Sequence, residues 1–127
     1  MDKKTILIVE DEGILTAHLQ DILARLGYTA LAPVATGEAA IEAVKAQPPD
    51  LVLMDIKLAG EMDGITAAGL IQSIANIPIV YLSGYPQDSL LQQAKATEPY
   101  GYLGKPVVER KLAATIEIAL YKHTLDR

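Results

Sequence analysis

The chain has 127 residues, half of them hydrophobic, which is enough for one domain built on one core. Eleven basic residues against sixteen acidic ones leave a net charge of −5, a poor basis for electrostatic capture of nucleic acid or of an anionic membrane. With no cysteine, disulfide scaffolds, thiolate metal sites and cysteine nucleophiles are excluded. Met1-Asp2-Lys3-Lys4 leads straight into an apolar run with no signal-peptide core, and no stretch reaches the length of a membrane-spanning helix. The expected compartment is the cytoplasm. Six Tyr with no Phe or Trp mean that Ile, Leu, Val and Ala must build the core.

Thr5-Ile6-Leu7-Ile8-Val9 reads as a buried strand, followed abruptly by Glu10-Asp11-Glu12. Leu15, Leu19, Ile22, Leu23 and Leu26 then recur at helical spacing, and Gly27 stops that helix. Tyr28 to Val34 predicts a second, less uniform strand. Thr36 can cap a helix that has Glu38 in its first turn, buries Ile41 and Val44, and ends before Pro48-Pro49.

In Leu51-Val52-Leu53-Met54-Asp55, four apolar residues run into one carboxylate. An unalternating apolar run predicts a strand buried on both faces. A glycine-containing loop, Lys57 to Met62, follows, and Asp63-Gly64 opens a helix with Ala67, Ile71 and Ile74 inward. Pro78 begins a fourth strand, Ile79 to Leu82, which ends at Ser83-Gly84. A fourth helix is predicted near Gln87 to Ala96, carrying Leu90, Leu91 and Ala94. A short fifth strand, about Gly101 to Leu103, precedes Lys105-Pro106. The last helix is predicted from about Val107 to His123, with Leu112, Ile116, Ala119 and Leu120 as its apolar stripe. Five strands alternating with five helices predict an α/β fold, a parallel sheet covered on both faces, and one domain over residues 1–127.

A parallel sheet brings all its strand carboxyl ends to one edge. Glu10 and Asp11, Asp55, Ser83 and Lys105 would then surround one crevice. At ~4 Å and an effective dielectric near 20, each carboxylate pair there costs about 4 kcal/mol. Such a cluster calls for a divalent cation, a raised pKa, or both. All-oxygen ligands favour Mg²⁺, with Mn²⁺ second. Lys105 adds positive charge and Ser83 a hydroxyl, which suits a carboxylate that becomes a phosphoester at Asp55. Each residue also has a structural alternative. Glu10 and Asp11 can cap the first helix, Ser83 can be a turn residue, Lys105 a solvated loop lysine and Tyr102 a packing residue. His18 and His123 read as surface residues, Tyr81 as core and the Lys57 side chain as solvated.

Val9-Glu10-Asp11-Glu12, Leu53-Met54-Asp55, Tyr81-Leu82-Ser83-Gly84 and Gly101-Tyr102-Leu103-Gly104-Lys105-Pro106 together resemble the receiver domain of two-component response regulators. The resemblance covers essentially the whole chain and implies a flavodoxin-like (βα)5 three-layer sandwich with strand order 2-1-3-4-5. It implies that Asp55 accepts a phosphoryl group from a histidine kinase or phosphotransfer protein. It further implies that Glu10, Asp11, Asp55 and the backbone carbonyl of Lys57 hold Mg²⁺. Lys105 would pair with the phosphoryl oxygens, Ser83 and Tyr102 would switch together, and the Lys105-Pro106 peptide would be cis.

The chain departs from the family pattern in places. The loop from Ile56 to Gly64 is one residue longer than usual and has Ala59 where a proline is common. Ser83-Gly84 replaces the frequent Thr-Ala pair. Lys57 and Tyr85, each two residues past a site residue, are expected to tune dephosphorylation. The downstream output is not named by the sequence, and a homodimer through the last helix is one expectation. The rival enzyme reading is an aspartate-nucleophile phosphatase of the haloacid dehalogenase type, but Lys57 stands where those enzymes carry a second aspartate. A flavodoxin-like cofactor binder would need a phosphate cradle where Glu10-Asp11-Glu12 would repel it.

Overall fold

The computed structural model describes residues 3–84 and 100–126. Its elements, in chain order, are β1 (Thr5–Val9), α1 (Gly13–Arg25), β2 (Thr29–Ala30), α2 (Gly37–Ala46), β3 (Leu51–Asp55), α3 (Gly64–Ile74), β4 (Ile79–Ser83), β5 (Gly101–Gly104) and α4 (Glu109–Leu125). The helix expected near 87–96, and Tyr85, lie outside the described residues. The five strands form one parallel sheet in the order β2-β1-β3-β4-β5, as the resemblance implied.

Strand periodicity divides the core into two layers. Leu7, Val9, Val52, Met54, Ile79 and Tyr81 point to one face, where Ala40 and Val44 of α2 and Ala67, Ala68 and Ile71 of α3 cover them. Ile6, Ile8, Leu51, Leu53, Val80 and Leu82 point to the other, against Leu19, Ile22 and Leu23 of α1 and Leu112, Ile116 and Ala119 of α4. Every residue of β3 is buried, which explains its unalternating sequence.

Local chemistry sets the helix ends. The Ala39 amide donates to Thr36 Oγ1 at 3.1 Å, so the expected Thr36 cap forms, and the Thr66 amide donates to Asp63 Oδ1 at 2.8 Å, which caps α3. Gly27 takes φ +91°, the left-handed conformation that ends α1. The Lys105-Pro106 peptide is cis.

Some expectations need correction. The second strand is ladder-paired only at Thr29–Ala30. Beyond it the chain still follows β1, through Leu31 N to Ile6 O and Val34 N to Ile8 O, but Pro33 has no N–H to continue the ladder. Ile74 is 44% exposed rather than inward, because α3 ends there and Ile77 of the following segment enters that layer instead. α4 begins at Glu109, two residues later than predicted, after the buried Val107.

The start of α3 is pressed onto the end of β3. The Gly64 amide donates to Ile56 O at 2.8 Å, and a Cβ built on Gly64 would stand 2.0 Å from the backbone oxygen of Asp55. Only glycine allows this approach, so Gly64 sets how tightly the Asp55 strand end is held. Gly69, on the same helix, is exposed and an added Cβ would meet nothing within 4 Å. The two alanine substitutions should therefore have opposite signs. Gly64→Ala should cost about 2–4 kcal/mol in urea unfolding, whereas Gly69→Ala should gain about 0.5–1 kcal/mol. Equal effects would contradict the close approach.

Candidate functional site

Strand register assembles the site. Val9 pairs with Met54, and Asp55 with Leu82, so Glu10 emerges beside Asp55 at the junction where strand order reverses. Ser83 pairs with Gly104, which places Lys105 just past the same edge. Asp11, Asp55, Lys57, Ser83 and Lys105 line a cleft of about 390 Å³, joined by Glu12, Ile56 and Gly84. Glu10 lies beneath it, 3% exposed, and Asp55 is 4% exposed.

Lys105 Nζ lies 3.0 Å from both Asp55 Oδ2 and Glu10 Oε1. The contact with Asp55 is a directed hydrogen bond. The contact with Glu10 is a close ion pair without hydrogen-bond alignment, and the buried Glu10 Oε1 has no hydrogen-bond partner among the described residues. The other Glu10 oxygen, Oε2, accepts from the Glu12 amide at 3.0 Å. That bond ties down the turn before α1, whose N-cap residue Glu12 makes no side-chain cap hydrogen bond, so the capping alternative is not met at Glu10.

Burial pushes the Glu10 carboxyl up to about 7. The Glu12 amide and Lys105 oppose that rise, while the charge of Asp55 adds to it. Burial also works against the Lys105 ammonium, but its close contacts with the charged Glu10 and Asp55 carboxylates outweigh it and hold its pKa above the ordinary lysine value.

Glu10, Asp11 and Asp55 each offer a carboxylate oxygen, all within 4.8 Å of one another. Asp11 is exposed and faces the cleft, so an entering cation meets one accessible and two buried ligands. The buried Glu10 Oε1, without a directed donor, is an atom that a hard cation would satisfy. The residues therefore fit a divalent ion.

The remaining predicted residues fall around this centre. The Lys57 amide donates to Asp55 Oδ1 at 3.2 Å, and its side chain is exposed. Ser83 is half-buried on the cleft wall. Tyr102, cross-strand from Tyr81 with ring centroids 6.4 Å apart, is 37% exposed on β5. The long loop after Asp55 is tied to α2 by a backbone bridge between Thr36 and Ala59.

Sequence reasoning missed three supports. The Glu12 amide fixes Glu10, the Thr16 hydroxyl donates to the Glu10 carbonyl at 3.4 Å, and Gly64 contacts the Asp55 backbone. Only Thr16 carried a visible signal, as a polar residue on the apolar face of α1.

Removing Lys105 would leave two buried carboxylates uncompensated. Lys105→Ala should destabilise the metal-free domain by about 2–4 kcal/mol in urea unfolding, and Mg²⁺ should recover part of that loss. An unchanged midpoint would contradict the pairing.

The comparisons with known proteins agree with this geometry. The family model for the response regulator receiver domain matches residues 6–117. The chain is 35% identical over 117 residues to the transcriptional regulatory protein PdtaR of Mycobacterium tuberculosis, covering 92% of this chain and 57% of that protein. It is 37% identical over 102 residues to the chemotaxis protein CheY of Bacillus subtilis, covering 80% and 84%. It therefore spans little more than half of the first of these relatives. Among solved structures, the signal receiver domain of a modulated diguanylate cyclase from Desulfovibrio desulfuricans G20 superposes with a TM-score of 0.93 at 36% identity, covering 99% of this chain and 100% of that one. A CheY-like receiver domain from Methanospirillum hungatei JF-1, at 24% identity, shares the fold with a TM-score of 0.89 over 99% and 100%. The haloacid dehalogenase alternative gains no support from these matches. Strand order, the acidic cleft and the match over residues 6–117 lead to one conclusion: the chain belongs to the response regulator receiver domain family.

Proposed function

We propose that this chain, taken as one domain over residues 1–127, is the phosphoacceptor switch of a two-component or phosphorelay system, with Asp55 as the acceptor. The observation that carries the reading is the placement of Lys105 Nζ, 3.0 Å from both Asp55 and Glu10 at the wall of an open cleft. An Asp55 oxygen attacks the phosphorus of a kinase or phosphotransfer-protein phosphohistidine. The new O–P bond forms as the P–N bond breaks, and the imidazole leaves. Glu10, Asp11, Asp55 and the Lys57 backbone carbonyl would hold Mg²⁺, with Mn²⁺ second. When bound, the ion would neutralise charge on the transferring phosphoryl group.

Transfer puts a dianion where Asp55 had one charge. Lys105 then has a stronger partner than its present carboxylates, and Ser83 a group to donate to. The arrangement of the β4 and β5 ends that best binds the phosphoryl group gains population, with Tyr102 following Ser83. The domain acts stoichiometrically, gaining and losing its own phosphoryl group, rather than as a turnover enzyme. Its setting is the cytoplasm, its upstream partner a histidine kinase or phosphotransfer protein, and its downstream partner an output domain or protein.

Beryllofluoride with Mg²⁺ should shift NMR resonances along β5 and α4 as well as at the cleft, and Asp55→Asn should remove every shift. Shifts that survive in Asp55→Asn would refute the acceptor assignment. Lys57→Ala, at the cleft mouth, should change the aspartyl-phosphate lifetime about two- to tenfold while leaving phosphoryl uptake intact. An unchanged lifetime would show that Lys57 does not tune hydrolysis.

A further inference from the structure

One wall of the cleft continues into the loop from Ile56 to Gly64, which is one residue longer than the family pattern. The two ends of that loop are held at Asp55, by the Lys57 amide on Asp55 Oδ1 at 3.2 Å and by Gly64 against the Asp55 backbone. Its middle is held by α2. Ala59 forms a parallel backbone bridge with Thr36, the residue whose hydroxyl caps that helix. Leu58 and Met62 are partly buried in the core layer beneath α2 and α3. Between them Gly60 takes φ +87°, so the tip reverses while Ala59, Gly60 and Glu61 stay exposed. The loop therefore lies across the first turn of α2. Among the described residues, α2 itself adds nothing to the cleft lining.

The tightest contact there is between Met62 and Gly37. A Cβ built on Gly37, the buried residue that opens α2, would stand 2.8 Å from Met62 Sδ and 3.1 Å from Met62 Cγ, with Ala67 Cβ at 3.0 Å. Size is what matters at this glycine, because a side chain there would expel the thioether. An unbranched methionine is flexible in open space, but seated in a fitted notch between two helices it fixes the chain that carries it. Lys57 stands five residues before Met62 in the same loop, and its carbonyl is the metal ligand that the backbone would supply. A backbone carbonyl is aimed by the path of its chain rather than by a side-chain rotamer. We infer that Met62 and Gly37 are positioning residues for divalent-ion binding: their contact fixes the path of the loop and, through it, the direction of the Lys57 carbonyl. The role rests on the Mg²⁺ site proposed above. It gives α2 a part in the chemistry without a group in the cleft.

The test is an NMR titration of the whole chain with Mg²⁺, preceded by backbone order parameters in the metal-free state. Met62→Ala should lower the order parameters from Leu58 to Glu61 and leave those of α1 in place. It should also weaken Mg²⁺ binding about tenfold, the scale of a lost support behind a metal ligand. Met62→Leu, which keeps an apolar side chain of similar volume, should stay within about twofold of the unmodified chain. Gly37→Ala should weaken binding about tenfold as well, but less than about twofold further in the Met62→Ala background, where the group it displaces is already gone. Each variant is titrated well below its own unfolding temperature, where a purely structural role would leave the affinity of the folded chain unchanged. An unmodified chain that binds no Mg²⁺ would refute the metal site itself, and this role with it. If the unmodified chain binds, three results overturn the positioning role and leave the metal site standing: Met62→Ala or Gly37→Ala binding as tightly as the unmodified chain, Met62→Leu binding no better than Met62→Ala, or the two alanine losses simply multiplying in the double variant.

Discussion

Everything at the functional edge depends on one ammonium group between two buried carboxylates. Lys105 stands 3.0 Å from Asp55 and from Glu10, on a strand end that neither of them shares. The carboxylates repel, and burial raises the cost of charging Glu10. Lysine offsets part of that cost, but it satisfies Asp55 with a directed bond and leaves Glu10 Oε1 without one. Among the described residues the site is thus left with one buried oxygen that has no directed donor, a condition that favours binding of a cation.

The frame around that site is rigid where the site needs it to be. β3 is buried along its whole length, and Gly64 lets α3 press against its end. Asp55 is therefore held by the core. Ser83 ends β4, Tyr102 lies on β5 and Lys105 follows that strand, at the side of the sheet away from β2; Ser83 and Lys105 are partly buried and Tyr102 is exposed. This contrast between a fixed acceptor and more accessible respondents favours a switch. On the proposed function, the phosphoryl group would arrive at a buried, fixed point, and the more accessible outer strand ends would respond to it.

Much of this was legible in the sequence because buried parallel strands leave an unmistakable trace. The apolar runs at Thr5–Val9, Leu51–Asp55 and Ile79–Ser83 are strands, and the polar residues that end them share one edge. Thr36 announced its helix through capping chemistry, and Asp63-Gly64 marked where the next helix opens. Less legible was anything that depends on where backbones meet. The ladder of β2 stops at Ala30 because Pro33 interrupts a segment that still hugs β1, and Ile74 is exposed because α3 ends before its turn reaches the core. The support of Glu10 by the Glu12 amide has no side-chain signature at all. The stripe of α4 was legible from its spacing, and Leu112, Ile116, Ala119 and Leu120 pack against the sheet.

The central claim is that Asp55 becomes an acyl phosphate. Incubating the chain with acetyl phosphate and Mg²⁺, reducing the product with borohydride, and mapping the peptides by mass spectrometry tests it most directly. The account predicts one phosphoryl group per chain, uptake that depends on the divalent ion, and conversion of Asp55 alone to its reduced form. Reduction at any other residue, or phosphoryl uptake that persists in Asp55→Asn, would contradict it.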